Sequence, residues 1–194
     1  AEFCRVSSSK VKEVEDISGV DMNINPRAIT HAEAEKIVKA FKEVKLIAPP
    51  TDGLVPIGEK QLEASMKKIF KPDFIAVVSR SPSVYRGGIP FQIEAGISYG
   101  GESGKSTSDG KRSEIIRFAN RAPLLFDAGA CAITTSVQDV DWKRYEIDDF
   151  SNSPVTVVVG VVSPWVPYTS AGKQSVTDDE EIVKEIKLAV MECG

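Results

Sequence analysis

Lys173 is the residue of this chain whose setting most invites chemistry. It stands in a run of small and polar residues, Ser170-Ala171-Gly172-Lys173-Gln174-Ser175. That run follows an unbroken apolar stretch, VTVVVGVV, beginning at Val155. A continuous Val-rich stretch reads as a strand buried on both faces. A cation carried on a loop behind such a strand is placed to meet an anion, and the chemistry this suggests is sensing a phosphate. Ser170, Gly172 and the backbone that follows can help shape the contact, but they do not complete a phosphate cradle. A nucleotide touched by Lys173 would therefore keep most of its pocket on another domain. The plainer reading is a solvated surface lysine.

Other groups are weaker. Gly104-Lys105-Ser106 resembles the end of a phosphate-binding P-loop, but that motif needs a glycine at position 99, which is Tyr99. Nor do the following residues, TSDGKRS, open a helix whose N-terminus could face a phosphate. A solvated hairpin loop is the expectation. Lys105, Lys111 and Arg112 in this loop, with Arg117 and Arg121 after it, could touch nucleic-acid phosphates without reading sequence. Trp142-Lys143-Arg144-Tyr145 places two cations between two aromatics. That pattern suits phosphate contacts beside aromatic faces, and equally suits two packing anchors with exposed cations between them. His31 is the sole histidine, so Ser/His/Asp and Cys/His machinery is poorly supported. Asp127 and Asp139 lack acidic partners at a metal-like spacing, and Thr51-Asp52-Gly53 reads as a turn. No complete catalytic constellation is present.

The elements that must position these residues fall into two parts. The first third is helical. One helix is expected over 7–17, ending before Gly19. Another is expected over 31–44, opened by a Thr30/Glu33 capping box, with Ala34, Ile37, Phe41 and Val44 as its apolar stripe. A loop with three prolines (48–59) leads to a third helix over 59–70, with Leu62, Met66 and Ile69 inward. Beyond Lys71 the pattern becomes β. Residues 73–79 form an apolar strand. From Phe91 to Tyr99, alternation marks a half-buried strand. A further strand is expected over 114–119, a helix over 128–140, the Val155 strand, and a final helix from Asp178 capped by Thr177 and Glu180. This order suggests an α+β sandwich with helices on one face.

Composition sets the class. Hydrophobic residues make up 42% and charged residues 27% of 194 positions, as in an ordinary globular protein. A net charge of -4 leaves no global basic field, so any DNA contact must be local. Cys4, Cys131 and Cys193 are odd in number and far apart, which argues against a disulfide framework or metal pair and for a reducing, cytoplasmic setting. No apolar run is long enough to span a membrane, and the first residues lack the layout of a signal peptide. The two ends read as cuts within a longer polypeptide.

Taken together, the strings APPTDGLVPIGE, SPSVYRGGIPFQIEAGISYGG, RFANRAPLLFDAGACAIT, WKRY and VPYTSAGKQSV resemble, in order, the B subunits of archaeal DNA topoisomerase VI, a type IIB topoisomerase. Residues 3–47 resemble the family's helix-two-turns-helix insert. The resemblance implies a helix-two-turns-helix insert and linker over 1–78 and a transducer domain over 79–194. The transducer would be a sandwich like domain 2 of ribosomal protein S5, with a mixed sheet, helices on one face and a left-handed βαβ crossover. It implies a preceding GHKL ATPase domain that binds most of the ATP and Mg2+, neither being expected on this chain alone. Lys173 matches the switch-loop lysine that contacts the ATP γ-phosphate, with Gly172 beside it. Trp142, Lys143 and Tyr145 match a WKxY motif implicated in DNA binding. Implied partners are double-stranded DNA, the A subunit in a heterotetramer of two A and two B subunits, and a second B subunit on ATP binding. The implied location is the nucleoid. The implied activity is ATP-coupled DNA passage, relaxing and decatenating duplexes, with the piece alone inactive. The DNA-cleaving tyrosine belongs to the A subunit. Two departures stand out: the loop 100–113 is long and polar for the family, and the stalk helix is only begun by 178–194. The rival reading is a DNA-binding or protein-docking module of similar fold with no ATP role. A free-standing small-molecule enzyme is disfavoured by the missing catalytic groups.

Overall fold

A computed structural model describes residues 6–46, 48–86, 88–108 and 110–194, and of Lys111 only the backbone. Cys4 and the start of the expected insert lie outside the described residues. The chain divides into two units, residues 1–49 and 50–194.

In the first unit, α1 (Ser8–Ser18) stops at Gly19, whose left-handed φ of 66° lets its N–H donate to the Glu15 carbonyl at 2.8 Å. Two tight turns follow. In one, the Asp21 carboxylate accepts the Asn23 N–H at 2.8 Å. The other is a single 3-10 turn, Pro26–Ala28, in which the Asn25 side chain accepts the Arg27 N–H at 3.0 Å. α2 (His31–Glu43) opens on the expected capping box. Thr30 N–H donates to the Glu33 carboxylate at 2.8 Å, while Glu33 N–H donates to Thr30 Oγ1 at 3.3 Å. The Thr30 N–H, and then the Thr30 hydroxyl at 2.7 Å, both donate to the Glu33 carboxylate and hold it below its usual range. The unit's small core joins Val14, Ala40 and Val44, with Ile37 and Met22 partly buried against them. Ala34 and Phe41, expected inward, are exposed. The unit is thus a helix, two turns and a helix.

The second unit begins with α3 (Glu59–Phe70), then β1 (Phe74–Ser79), β2 (Ser83–Tyr85) and β3 (Ile89–Tyr99). A hairpin of β4 (Lys105–Thr107) and β5 (Gly110–Arg112) projects before β6 (Glu114–Ala119) and β7 (Ala122–Pro123). α4 (Ala132–Gln138), β8 (Val155–Val162) and α5 (Glu180–Cys193) complete it. The main sheet runs β1-β3-β8-β6-β7, with β2 added to β3. Its pairs are antiparallel except β6 with β8, which are parallel and joined through α4. The sheet is therefore mixed, and β6-α4-β8 is its βαβ unit.

β8 is central, and every residue in it is buried, as its unbroken Val run predicts. Val155, Val157, Val159 and Val161 meet Ile133 and Val137 of α4 and Ile182, Ile186 and Val190 of α5. Val158 faces the other way, onto Leu62, Met66 and Phe70 of α3. The two later helices thus share one face, as expected, and α3 covers the opposite face. That face explains two differences from the sequence reading. α3 and β1, expected with the helical insert, fold with the sheet, because Leu62, Met66 and Phe70 need an apolar surface to cover. β3, expected half-buried, is buried on both faces over most of its length, and a Cβ at Gly96 would come within 2.5 Å of Met66 Sδ.

Two helix ends also differ. α5 starts at Glu180, with Asp179 at its N-cap and no side-chain capping bond, so the Thr177/Glu180 box does not form. The helix expected over 128–140 is a 3-10 turn, Ala128–Ala130, then α4. The break is at Cys131, whose backbone is extended.

Candidate switch-loop site

The exit of β8 is fixed by a reciprocal pair of hydrogen bonds. Ser163 N–H donates to Asn120 Oδ1 and Asn120 Nδ2 donates to the Ser163 carbonyl, both at 2.9 Å. The chain then reaches a short antiparallel bridge between Tyr168 and Val176. Inside that bridge, Thr169 N–H donates to the Ser175 carbonyl at 3.0 Å, and the Thr169 and Ser175 hydroxyls bond one another. Lys173 N–H donates to the Ser170 carbonyl at 3.1 Å, closing a four-residue turn. Lys173 itself holds φ 53°, a region that non-glycine residues seldom enter and that costs roughly 1–3 kcal/mol.

The base of this loop is as rigid as its tip is open. Ser175 and Val176 are fully buried, whereas residues 169–173 are exposed. The Val176 carbonyl accepts the N–H of Ala132 at 2.9 Å, at the start of α4, and its N–H donates to Cys131 Sγ at 3.4 Å. Lys173 Nζ lies 5.9 Å from the centroid of the Tyr168 ring, within cation–π range. Burial pushes the Tyr168 phenol above its ordinary range, so the ring stays neutral beneath the ammonium. Lys173 has no carboxylate partner among the described residues. Gly172 sits beside it at the tip.

Arg117, one of the two cations after the loop expected to be free to touch phosphates, is instead buried on β6. Its Nη2 donates to the carbonyls of Leu124 and Phe126, each at 2.9 Å, and its Nη1 makes a long 3.5 Å bond to the Gln174 carbonyl. Glu94, on the polar side of the β3 alternation, is buried too. Its carboxylate accepts the N–H groups of Ile57 at 2.7 Å and Gly58 at 2.6 Å. Gly58 is the N-cap of α3 and has no side chain to do this, so Glu94 completes the helix start.

The Trp142–Tyr145 segment forms one 3-10 turn. Trp142 is only 5% exposed. Its Nε1 donates to the Val137 carbonyl at 2.9 Å, and its ring stacks on Phe150 at 4.3 Å between centroids. Tyr145 meets Trp142 edge-on, and its hydroxyl donates to the Met191 carbonyl at 3.1 Å. Both aromatics are therefore packing anchors, and Trp142 offers no open face to a base. Lys143 and Arg144 between them are exposed, with no ion pair among the described residues. This turn follows the C-terminal end of α4, while the lysine loop is bonded to its N-terminal end, so the two groups are not brought together.

The remaining candidates are ordinary. Gly104 N–H donates to Thr156 Oγ1 at 2.8 Å and Lys105–Thr107 pairs with β5, so the described residues there form no phosphate cradle. The side chain of Lys111 lies outside the described residues. Arg121 donates to the Pro56 carbonyl at 2.6 Å, His31 is exposed beside Glu35, and Asp139 pairs with Lys187. Cys131 and Cys193 are free and buried. Among the described residues no three metal-ligating side chains cluster, and no helix is long and apolar enough to cross a membrane. What the loop offers is one presented cation. It fits contact with a terminal phosphate, and it cannot by itself hold a nucleotide or its magnesium ion.

Comparison with known proteins bears on the family rather than on the loop. A family model described as "Topoisomerase VI B subunit, transducer" matches residues 49–194, close to the boundary between the two units. Among curated relatives, the B subunit of type 2 DNA topoisomerase 6 from Methanothermobacter thermautotrophicus is 54% identical over 187 residues, covering 96% of this chain and 36% of its own length. The protein of the same name from Pyrococcus horikoshii is 54% identical over 184 residues, covering 94% of this chain and 31% of its own. The chain thus spans about a third of the length of the curated relatives it matches. Among solved structures, the B-subunit of the DNA gyrase from Myxococcus xanthus aligns with a TM-score of 0.43 and 14% identity, over 68% of this chain and 38% of that one.

Proposed function

This chain belongs to the topoisomerase VI B-subunit family, with the transducer over residues 49–194, and we propose that it relays the state of a bound nucleotide to the passage of one DNA duplex through another. The observation that carries the reading is the presentation of Lys173. It stands at the exposed tip of a strained turn, without a counterion among the described residues, above a base locked into the core. A group built that way is suited to meet an anion delivered from outside the unit.

In this reading ATP and Mg2+ are held by a GHKL-type ATPase domain of the whole protein. Lys173, with Gly172 beside it, contacts the γ-phosphate. When hydrolysis removes that phosphate the contact is lost, and the loop, continuous with β8, lets the transducer pivot. Double-stranded DNA, the A subunit and a second copy of the B subunit, closed upon ATP, complete the machine, working at the nucleoid. Lys143, with Arg144, contacts DNA phosphates, and Trp142 and Tyr145 serve by holding that turn rather than by touching bases.

The test is Lys173→Ala in the full-length protein assembled with its A subunit. ATP hydrolysis and strand passage should both fall while the melting temperature is kept. A wild-type rate of ATP hydrolysis would exclude the role.

A further inference from the structure

The guanidinium of Arg117 carries an inference that rests on the Lys173 reading. It is 4% exposed, and no carboxylate pairs with it among the described residues. A buried cation without a counterion is costly unless dipoles surround it. Here the surrounding dipoles are carbonyls from two separate segments: Leu124 and Phe126 on one side, and Gln174, the residue after Lys173, on the other. Only a rigid fork can reach both, since a lysine is a single point of charge on a flexible stem. Drawing the 124 and 126 carbonyls inward leaves two neighbouring apolar side chains outward, with Leu125 72% and Phe126 65% exposed. Arg117 itself is fixed in the sheet, opposite Val159 of β8 in the parallel β6–β8 register.

We propose that Arg117 is a positioning residue for Lys173, joining the lysine-bearing turn and the 124–126 segment into one body that moves with β6. It touches no phosphate; it sets where Lys173 is when the phosphate arrives. A nucleotide contact at Lys173 would then also shift the exposed Leu125–Phe126 pair, and a contact at that pair would shift Lys173.

The experiment is a double-mutant cycle in the full-length protein assembled with its A subunit, comparing R117K, K173A and the double variant for ATP hydrolysis. R117K keeps the charge and loses the fork. It should lower kcat roughly tenfold with KM for ATP changed less than about twofold, and add no further loss to K173A. Equal fold losses in both backgrounds, or a wild-type kcat for R117K, would overturn the positioning role while leaving Lys173 in place. A wild-type kcat for K173A would instead remove the premise, and the inference with it. Should R117K not assemble, hydrogen exchange on the unaltered full-length protein decides. On adding a non-hydrolysable ATP analogue, peptides covering 120–130 and 168–178 should gain protection together, and protection of the second alone would overturn the inference.

Discussion

Replacing Glu94 by Gln puts a number on a contact that the sequence hides. The carboxylate sits on β3, 1% exposed, and receives two backbone N–H groups, from Ile57 at 2.7 Å and Gly58 at 2.6 Å. A carboxamide of the same shape can accept only one of them. Its Nε2 must then point at the other N–H, donor against donor. One charge-assisted bond, worth roughly 1.5–3 kcal/mol, is lost, and a buried N–H is left unsatisfied at a cost of roughly 1–3 kcal/mol. These penalties overlap, so the expected destabilisation is about 3 kcal/mol. With a urea m-value of about 2 kcal/mol/M for a unit of this size, the midpoint should fall by about 1.5 M. Equilibrium urea unfolding of the chain, followed by far-UV circular dichroism, measures it. Glu59→Gln is the control, because the Glu59 carboxylate accepts the Ser79 N–H at 2.8 Å from an exposed position and should cost under about 0.5 kcal/mol. A Glu94→Gln midpoint within about 0.3 M of wild type, at unchanged m, would refute the claim that Glu94 anchors the start of α3.

Other consequences can be checked in parallel. Lys143→Glu in the assembled enzyme should weaken duplex binding and reduce the slope of log K against log salt by about one phosphate contact; an unchanged slope would make the Trp142–Tyr145 turn purely structural. Burial pushes the Cys193 thiol up to about 12, with Glu192 adding to the shift. Since an unfolded thiol ionises near about 8.5, this contribution is complete below that pH and is lost as pH rises toward the folded value. Stability should therefore drop by about 2 kcal/mol between pH 8 and 10, and Cys193→Ala should flatten that slope; parallel slopes for the two proteins would contradict it.

How much can be read from the chain depends on how local the cause is. β8 is legible because a central strand covered on both faces shows as continuous valine. The α2 start is legible because Thr30 and Glu33 cap one another within four residues. Glu94, Gly96 and Ser98 are not, because alternation describes one sheet face and cannot announce that α3 will cover the other. For the same reason α3 and β1 look like the tail of a helical module. Arg117 reads from the sequence as one more cation free to touch a phosphate, because its carbonyl partners lie 7, 9 and 57 residues away. β2, β4, β5 and β7 span two or three residues each, too few for any period to show. Lys173 stands out in the sequence as a presented cation, while the turn that strains it and the fork that braces it come only with the fold.

The most direct test of the central claim is to trap the contact itself. The full-length protein would be incubated with an ATP analogue carrying an amine-reactive group on its γ-phosphate, and the labelled peptide identified by mass spectrometry. Modification is expected at Lys173, competed by ATP, with Lys184 and Lys187 on α5 unlabelled. Labelling confined to other lysines, with Lys173 untouched, would contradict that claim.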